Sequence, residues 1–157
     1  MKRLFFVMAI STVSFTSVKA QDNYKPVFSI GVDAGIPTEK GLSFVIGGSL
    51  QGDFKVASDL DLTANAGYKS WQAKGGGSTG FIPVLGGIKY YFAPEVYGSG
   101  QLGISFSTEN GGGSWFTYAP GIGFKASPNF DILAKYTGMS KNSINFNEIG
   151  VRLAYPF

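Results

Sequence analysis

Glu148-Ile149-Gly150-Val151-Arg152-Leu153-Ala154-Tyr155-Pro156-Phe157 is the stretch whose reading decides the fold. Ile149, Val151, Leu153, Tyr155 and Phe157 fall on one side of an extended chain, and Glu148, Gly150, Arg152 and Ala154 on the other. Successive side chains of a β-strand point to opposite faces, so a period of two marks a strand whose faces meet different surroundings.

The same alternation recurs backward through the chain. Phe130, Ile132, Ala134 and Tyr136 oppose Asp131, Leu133, Lys135 and Thr137. Phe116, Tyr118, Pro120, Ile122 and Phe124 oppose Thr117, Ala119, Gly121, Gly123 and Lys125. Leu102, Ile104 and Phe106 oppose Gln101, Gly103 and Ser105, and Ile82, Val84, Ile88, Tyr90 and Phe92 oppose a mixed face with Gly87, Lys89 and Tyr91. Leu60 to Tyr68, Leu42 to Val56 and Phe28 to Ile36 complete the set of eight segments. Each is near the ~9–11 residues that a tilted membrane strand requires. Val56–Asp59, Ala93–Glu95 and Ala126–Asn129 read as tight turns, because Pro, Asp, Asn and Ser favour them. Between these turns, Ser70–Gly80, Thr108–Ser114 and Gly138–Asn145 read as longer, looser connections, while Pro37–Gly41 is short. Short turns on one side and longer loops on the other are the pattern of an outer-membrane barrel. The expected fold is all-β: an eight-stranded antiparallel up-and-down transmembrane β-barrel.

Alternation does not say which face points outward, and three features favour lipid on the apolar face. Aromatic residues gather near both ends of the strands: Phe54, Tyr90, Phe92, Phe124, Phe130, Tyr155 and Phe157 toward the turns, and Phe44, Tyr68, Phe106, Phe116 and Tyr136 toward the loops. Two such girdles around an aliphatic middle mark the two membrane interfaces. The polar face is rich in small residues, as the cramped interior of an eight-stranded barrel demands. It also holds both signs of charge in Asp33, Asp53, Asp61, Lys69, Lys135, Glu148 and Arg152, which can pair in a lumen but are costly against lipid.

Residues 1–20 read as a secretory signal peptide: Met1-Lys2-Arg3, an apolar run from Leu4 to Ile10, and Val18-Lys19-Ala20 before the polar Gln21-Asp22-Asn23. Residues 21–157 would then form the barrel domain. Three of the 13 basic residues (Lys2, Arg3 and Lys19) fall in the leader, which leaves the remainder balanced against its 10 acids and gives no support for nucleic-acid binding. The chain has no Cys, 23 Gly and 15% aromatics. An exported domain without disulfides needs another source of stability, and a closed barrel in lipid provides one.

No His and no Cys means no Ser-His triad, no His-based acid–base chemistry and none of the usual zinc sites. No catalytic residue, metal site or cofactor is expected. Asp59 and Asp61 lie two apart on one face, but a charge pair near Lys55 and Lys69 accounts for them better than a metal clamp. Gly75-Gly76-Gly77-Ser78-Thr79-Gly80 lacks the Lys-Ser/Thr of a phosphate loop and reads as a surface loop. Trp71 and Trp115, toward the loop side, read as interface anchors.

Leu153, Tyr155 and the terminal Phe157 resemble the C-terminal strand of bacterial outer-membrane β-barrel proteins, with Pro156 standing where a polar residue is usual. With the leader and eight strands, the whole chain resembles the small outer-membrane β-barrel domain family, of the size of the OmpA membrane domain and OmpX. The resemblance implies residence in the bacterial outer membrane. It implies that Phe157, and more weakly Tyr155, form part of the signal read by the barrel assembly machinery. It stops at the fold for the barrel enzymes of lipid A, phospholipid and peptide chemistry, which rely on a histidine. The role expected is non-enzymatic: envelope structure, or contact with an extracellular partner through the loops. Two alternatives stand beside it, a narrow channel for small solutes and a soluble periplasmic barrel binding an apolar ligand in its interior.

Overall fold

The computed structural model of this chain describes residues 25–157. The expected leader, residues 1–20, lies outside the described residues. Eight strands follow one another: β1 (Val27–Pro37), β2 (Leu42–Lys55), β3 (Leu60–Ala73), β4 (Ser78–Tyr91), β5 (Val96–Ser107), β6 (Ser114–Ser127), β7 (Phe130–Lys141) and β8 (Ile144–Pro156). Each pairs antiparallel with its sequence neighbour, and β1 pairs with β8 to close the barrel. The closing register sets Ser29 opposite Pro156, Asp33 opposite Arg152 and Pro37 opposite Glu148. The last backbone N–H of the chain, on Phe157, donates to Phe28 O at 2.8 Å, so pairing continues past Pro156.

The surface inverts that of a water-soluble protein. Ile30, Val32, Leu50, Val84, Leu102, Ile104, Ile122 and Leu153 are exposed, while Asp33, Lys89, Glu148 and Arg152 are buried. A soluble barrel would bury the first set and wet the second. The alternative of an apolar ligand chamber is therefore overturned: the apolar face lies outside, and the interior is lined largely by polar and charged groups. Every strand alternates in this sense, with lipid-facing residues on one parity and lumen-facing residues on the other.

The strands are longer than the sequence suggests, and the connections shorter. β2, β3, β4 and β6 each have 14 residues. At ~3.3 Å per residue and a tilt near 45°, such a strand rises roughly 33 Å, beyond the apolar band of about 25 Å. The expected loops at 70–80, 108–114 and 138–145 shrink to residues 74–77, 108–113 and 142–143. Ser, Gly and Gln in Ser70–Ala73 and Ser78–Gly80 were read as loop composition, but ladder pairing extends through them above the membrane, where polar side chains have water on hand. The tip of β7–β8 is a two-residue turn in which Asn142 and Ser143 take left-handed φ of 48° and 68°. That is the hairpin turn whose twist matches its flanking strands, and Asn tolerates it. The two ends differ little in length, since the opposite turns span residues 56–59, 92–95 and 128–129 and only the 108–113 connection is longer than these.

Packing against lipid and packing inside make different demands on neighbours in one strand. Ile122 faces out between the girdles, whereas Gly123 faces in beneath the Tyr97 ring, where an added Cβ would lie 2.0 Å from the ring Cζ. Replacing Ile122 by Arg should cost about 2–4 kcal/mol of barrel stability. Gly123→Ala should cost about 1–3 kcal/mol by a separate route, overpacking. Urea unfolding in micelles checks both, and a neutral Ile122→Arg would refute the face assignment.

Candidate functional site

The lumen is built in layers, and parity along each strand decides which side chains enter it. At the turn end, Lys89 from β4 stands between two carboxylates, with Nζ 2.7 Å from Asp53 of β2 and 3.6 Å from Asp131 of β7. The Tyr97 hydroxyl donates to Asp131 at 2.5 Å, and Lys89 Nζ also sits 4.7 Å from the centre of the Tyr97 ring. An uncharged belt lies next along the axis. The Gln51 amide donates to Asp53 at 2.8 Å, and its own carbonyl accepts from Asn65 and Gln101, each at 3.2 Å.

A second ionic layer lies beyond the belt. Lys135 Nζ is 2.5 Å from Asp33, and Lys69 pairs with Glu148. Ser49 donates to Asp33 at 2.7 Å and accepts from Arg152 Nε at 2.8 Å, and Arg152 Nη2 reaches Ser29 at 3.2 Å. All seven charged residues singled out in the sequence lie buried on the lumen face. Six of them enter the two ionic layers: Asp53 the first, and Asp33, Lys69, Lys135, Glu148 and Arg152 the second. Asp61 lies at the turn-end mouth, opposite Lys55 in the β2–β3 register and outside the four lumen ion pairs.

The loop end is closed by a hydrophobic plug. Val45, Trp71, Phe81, Trp115 and Met139 form a buried cluster, with Leu42 and Phe146 packed against it. Phe146 stacks edge-on to Trp71 with ring centres 5.6 Å apart and tilts over Trp115 at 5.1 Å. This corrects the expected place of Trp71 and Trp115 as interface anchors. Trp71 is 1% exposed and shares the parity of Lys69, while Trp115 shares that of Thr117, so both turn inward. Trp115 Nε1 and Lys141 Nζ both donate to Gly112 O, which ties the 108–113 connection over the plug.

Lys89, Tyr97, Asp131 and the amides of Gln51, Asn65 and Gln101 were not singled out from sequence. Parity alone could have placed Lys89 and Asp131, the first on a face read as mixed and the second opposite an apolar one. Tyr97 escaped because Gly98 and Gly100 concealed the true start of β5. Tyr155 and Phe157 face outward and are exposed, and the Pro156 carbonyl accepts from Asn129 at 3.1 Å.

Lumen hydroxyls are engaged with charged or hydroxyl partners at Ser49, Ser29 and the Ser105–Thr117 pair, whereas the buried hydroxyls of Ser99 and Thr137 have no hydrogen-bond partner. Among the described residues, no group of three carboxylates stands where it could hold a metal ion. Between the second ionic layer and the plug lies a cavity of about 10 Å³, lined by Asp33, Lys69, Lys135, Thr137 and plug residues. That is room for about one water molecule.

Removing one partner of a buried ion pair leaves an uncompensated charge, so Lys89→Met should destabilise the barrel by about 3–5 kcal/mol. Adding Asp53→Asn and Asp131→Asn to that variant should recover most of the loss. Urea midpoints of the single and triple variants in micelles check this, and an unaffected single variant would show that the Lys89 layer carries no such weight.

No protein-family model and no curated protein matches the sequence. Solved structures do. The outer-membrane protein Ail of Yersinia pestis, in a phospholipid bilayer nanodisc, is similar over 85% of this chain and 99% of its own, with a TM-score of 0.63 at 18% identity. The outer membrane enzyme PagL matches over 82% and 99%, with a TM-score of 0.63 at 16% identity. A chain from the de novo design of transmembrane β-barrels matches over 83% and 95%, with a TM-score of 0.58 at 19% identity. An attachment and invasion protein, an enzyme and a designed chain thus share one scaffold, so the likeness speaks to architecture and not to activity. With its apolar exterior, charged lumen and closed eight-stranded sheet, this chain has the fold of the small bacterial outer-membrane β-barrels.

Proposed function

We propose that this protein is a non-enzymatic, non-conducting barrel that serves the structure of the bacterial outer membrane. The observation that carries this reading is the filled lumen: two ionic layers, an amide belt and an aromatic plug in series, with about 10 Å³ left over between the second ionic layer and the plug. An eight-stranded interior is just wide enough for its own side chains to fill. A continuous water path would require rearranging at least the plug formed around Trp71, Phe81 and Trp115.

Two further points support it. The chain has no His, so a Ser-His arrangement of the kind used in hydrolysis has no base to draw on. The connections at the loop end span only two to six residues, which offers a partner little area beyond the strand tips. Envelope structure is accordingly the leading role, with contact to an extracellular partner through residues 38–41, 74–77 and 108–113 second. The outward Tyr155 and Phe157 fit an assembly signal presented on the lipid face of β8, open to the barrel assembly machinery.

Planar-bilayer recording should give no steady conductance from the purified protein; a reproducible open level would overturn the non-conducting reading. Deleting Phe157 removes both an exposed aromatic and the terminal hydrogen bond to Phe28. It should lower the amount of folded, heat-modifiable barrel in outer membranes severalfold, and Phe157→Ala, which keeps the backbone bond, should reproduce much of the loss. Normal insertion of both variants would refute the assembly role.

A further inference from the structure

Asn110-Gly111 is the one Asn-Gly step in the sequence. It lies in the 108–113 connection, the longest at the loop end, and Asn110 is exposed. Both flanks of the step are fastened. Ser107 N donates to Gly113 O at 2.9 Å, Thr108 N to Gly80 O at 2.9 Å, and Glu109 N to Ser107 Oγ at 3.2 Å. Gly112 N donates to Glu109 O at 3.0 Å, and Gly112 O takes the two bonds from Trp115 and Lys141. Among the described residues, none of the hydrogen bonds that hold this connection uses Asn110 or Gly111. Gly111 has φ of 80° and open space around it, with no atom within 4 Å of where a Cβ would stand.

The backbone nitrogen that follows an asparagine can close a five-membered ring on the side-chain carbonyl carbon. Two obstacles normally stop it. A side chain on the following residue crowds the approach, and a fixed backbone cannot bring the nitrogen onto the carbon. Glycine removes the first obstacle, having no Cβ. The second is weak at Asn110, because a single bond, from Gly112 N to Glu109 O, closes the turn around it. Asn142 is the contrast. It too is exposed at the loop end, but Ser143 follows it, and both residues are set in left-handed φ by a two-residue turn clamped by the Lys141–Ile144 pair.

We propose that Asn110 is a site of spontaneous modification, converting to aspartate and isoaspartate through a succinimide. The Gly111 nitrogen bonds to Cγ of Asn110, the Cγ–Nδ2 bond breaks, and the proton from the attacking nitrogen leaves with Nδ2 as ammonia. Water then opens the ring at either carbonyl. One opening gives aspartate, and the other gives isoaspartate, whose main chain runs through the side-chain carbons. Solvent water is the only reactant, and nothing is oxidised or reduced. Each conversion adds a negative charge beside Glu109. The isoaspartyl form also lengthens the main chain two residues ahead of the Gly112 carbonyl that fastens the connection over the plug. The surface presented by residues 108–113 therefore changes with the age of the molecule, whichever role the barrel serves.

The test is to incubate the folded protein, purified from outer membranes into micelles, in warm and mildly alkaline buffer. Samples taken over time are unfolded, cleaved and sequenced by mass spectrometry. Residue 110 should gain an oxygen in exchange for an NH at least tenfold faster than Asn142 or Asn145, as a mixture of both products. Gly111→Ala should slow the conversion at least tenfold, with the heat-dependent gel shift reporting that the variant is folded. If Gly111→Ala fails to fold, Asn110→Gln decides: its longer side chain closes a ring less readily, and residue 110 should stay unconverted over the same period. The proposal is overturned if Asn110 outlasts the incubation unconverted, if it converts no faster than Asn142, or if a folded variant converts like the parent.

Discussion

Inside a hydrocarbon layer no water is available to take up an unpaired N–H or C=O, and each such group costs several kcal/mol. Everything else in this structure depends on meeting that constraint. A sheet with two free edges would fail it; the pairing of β1 with β8 from Ser29–Pro156 to Pro37–Glu148 removes both edges at once. Closure also explains why Pro156 is tolerable. It comes last in its strand, where a missing donor interrupts nothing, and Phe157 restores the ladder one residue later.

Closing eight strands leaves a narrow interior, and that narrowness sets the chemistry of the lumen. Charged groups cannot spread apart or gather water, so they are held in fixed partnerships: Lys89 between Asp53 and Asp131, Lys135 on Asp33, Lys69 on Glu148. In a medium of low dielectric such pairs interact strongly but were expensive to desolvate, and their net value lies in what happens when one member is missing. The small residues of the lumen face have the same origin. At Gly123 the Tyr97 ring takes the space a Cβ would need, and Tyr97 in turn donates to the Asp131 carboxylate that faces Lys89.

The two ends of the lumen solve different problems. At the loop end, the aromatic plug caps the ionic layer beneath it, and the Gly112 carbonyl, held by Trp115 and Lys141, fastens the longest connection across it. At the turn end, Asp53, Asp61, Lys55 and Lys125 line an open mouth.

Strand number, antiparallel order and the division into lipid and lumen faces were legible in the sequence, because a period of two maps directly onto the two sides of a sheet. The Ile149–Phe157 alternation and the placement of Asp33, Lys69, Lys135 and Arg152 on one parity carry that information without reference to any distant residue. Strand ends were not legible. Residues such as Ser70, Gln72, Ser78 and Thr79 have loop-like composition, and only the ladder with neighbouring strands extends them into sheet. Nor did the sequence distinguish an outward Trp at the interface from an inward Trp in a plug, although parity held the answer for Trp71 and Trp115. Which charges meet was decided by closure alone: Lys69 and Glu148 are 79 residues apart, and Lys89 and Asp53 are 36. Local alternation determines which face a side chain takes, whereas its partner depends on register and shear around the whole barrel, which no single strand contains.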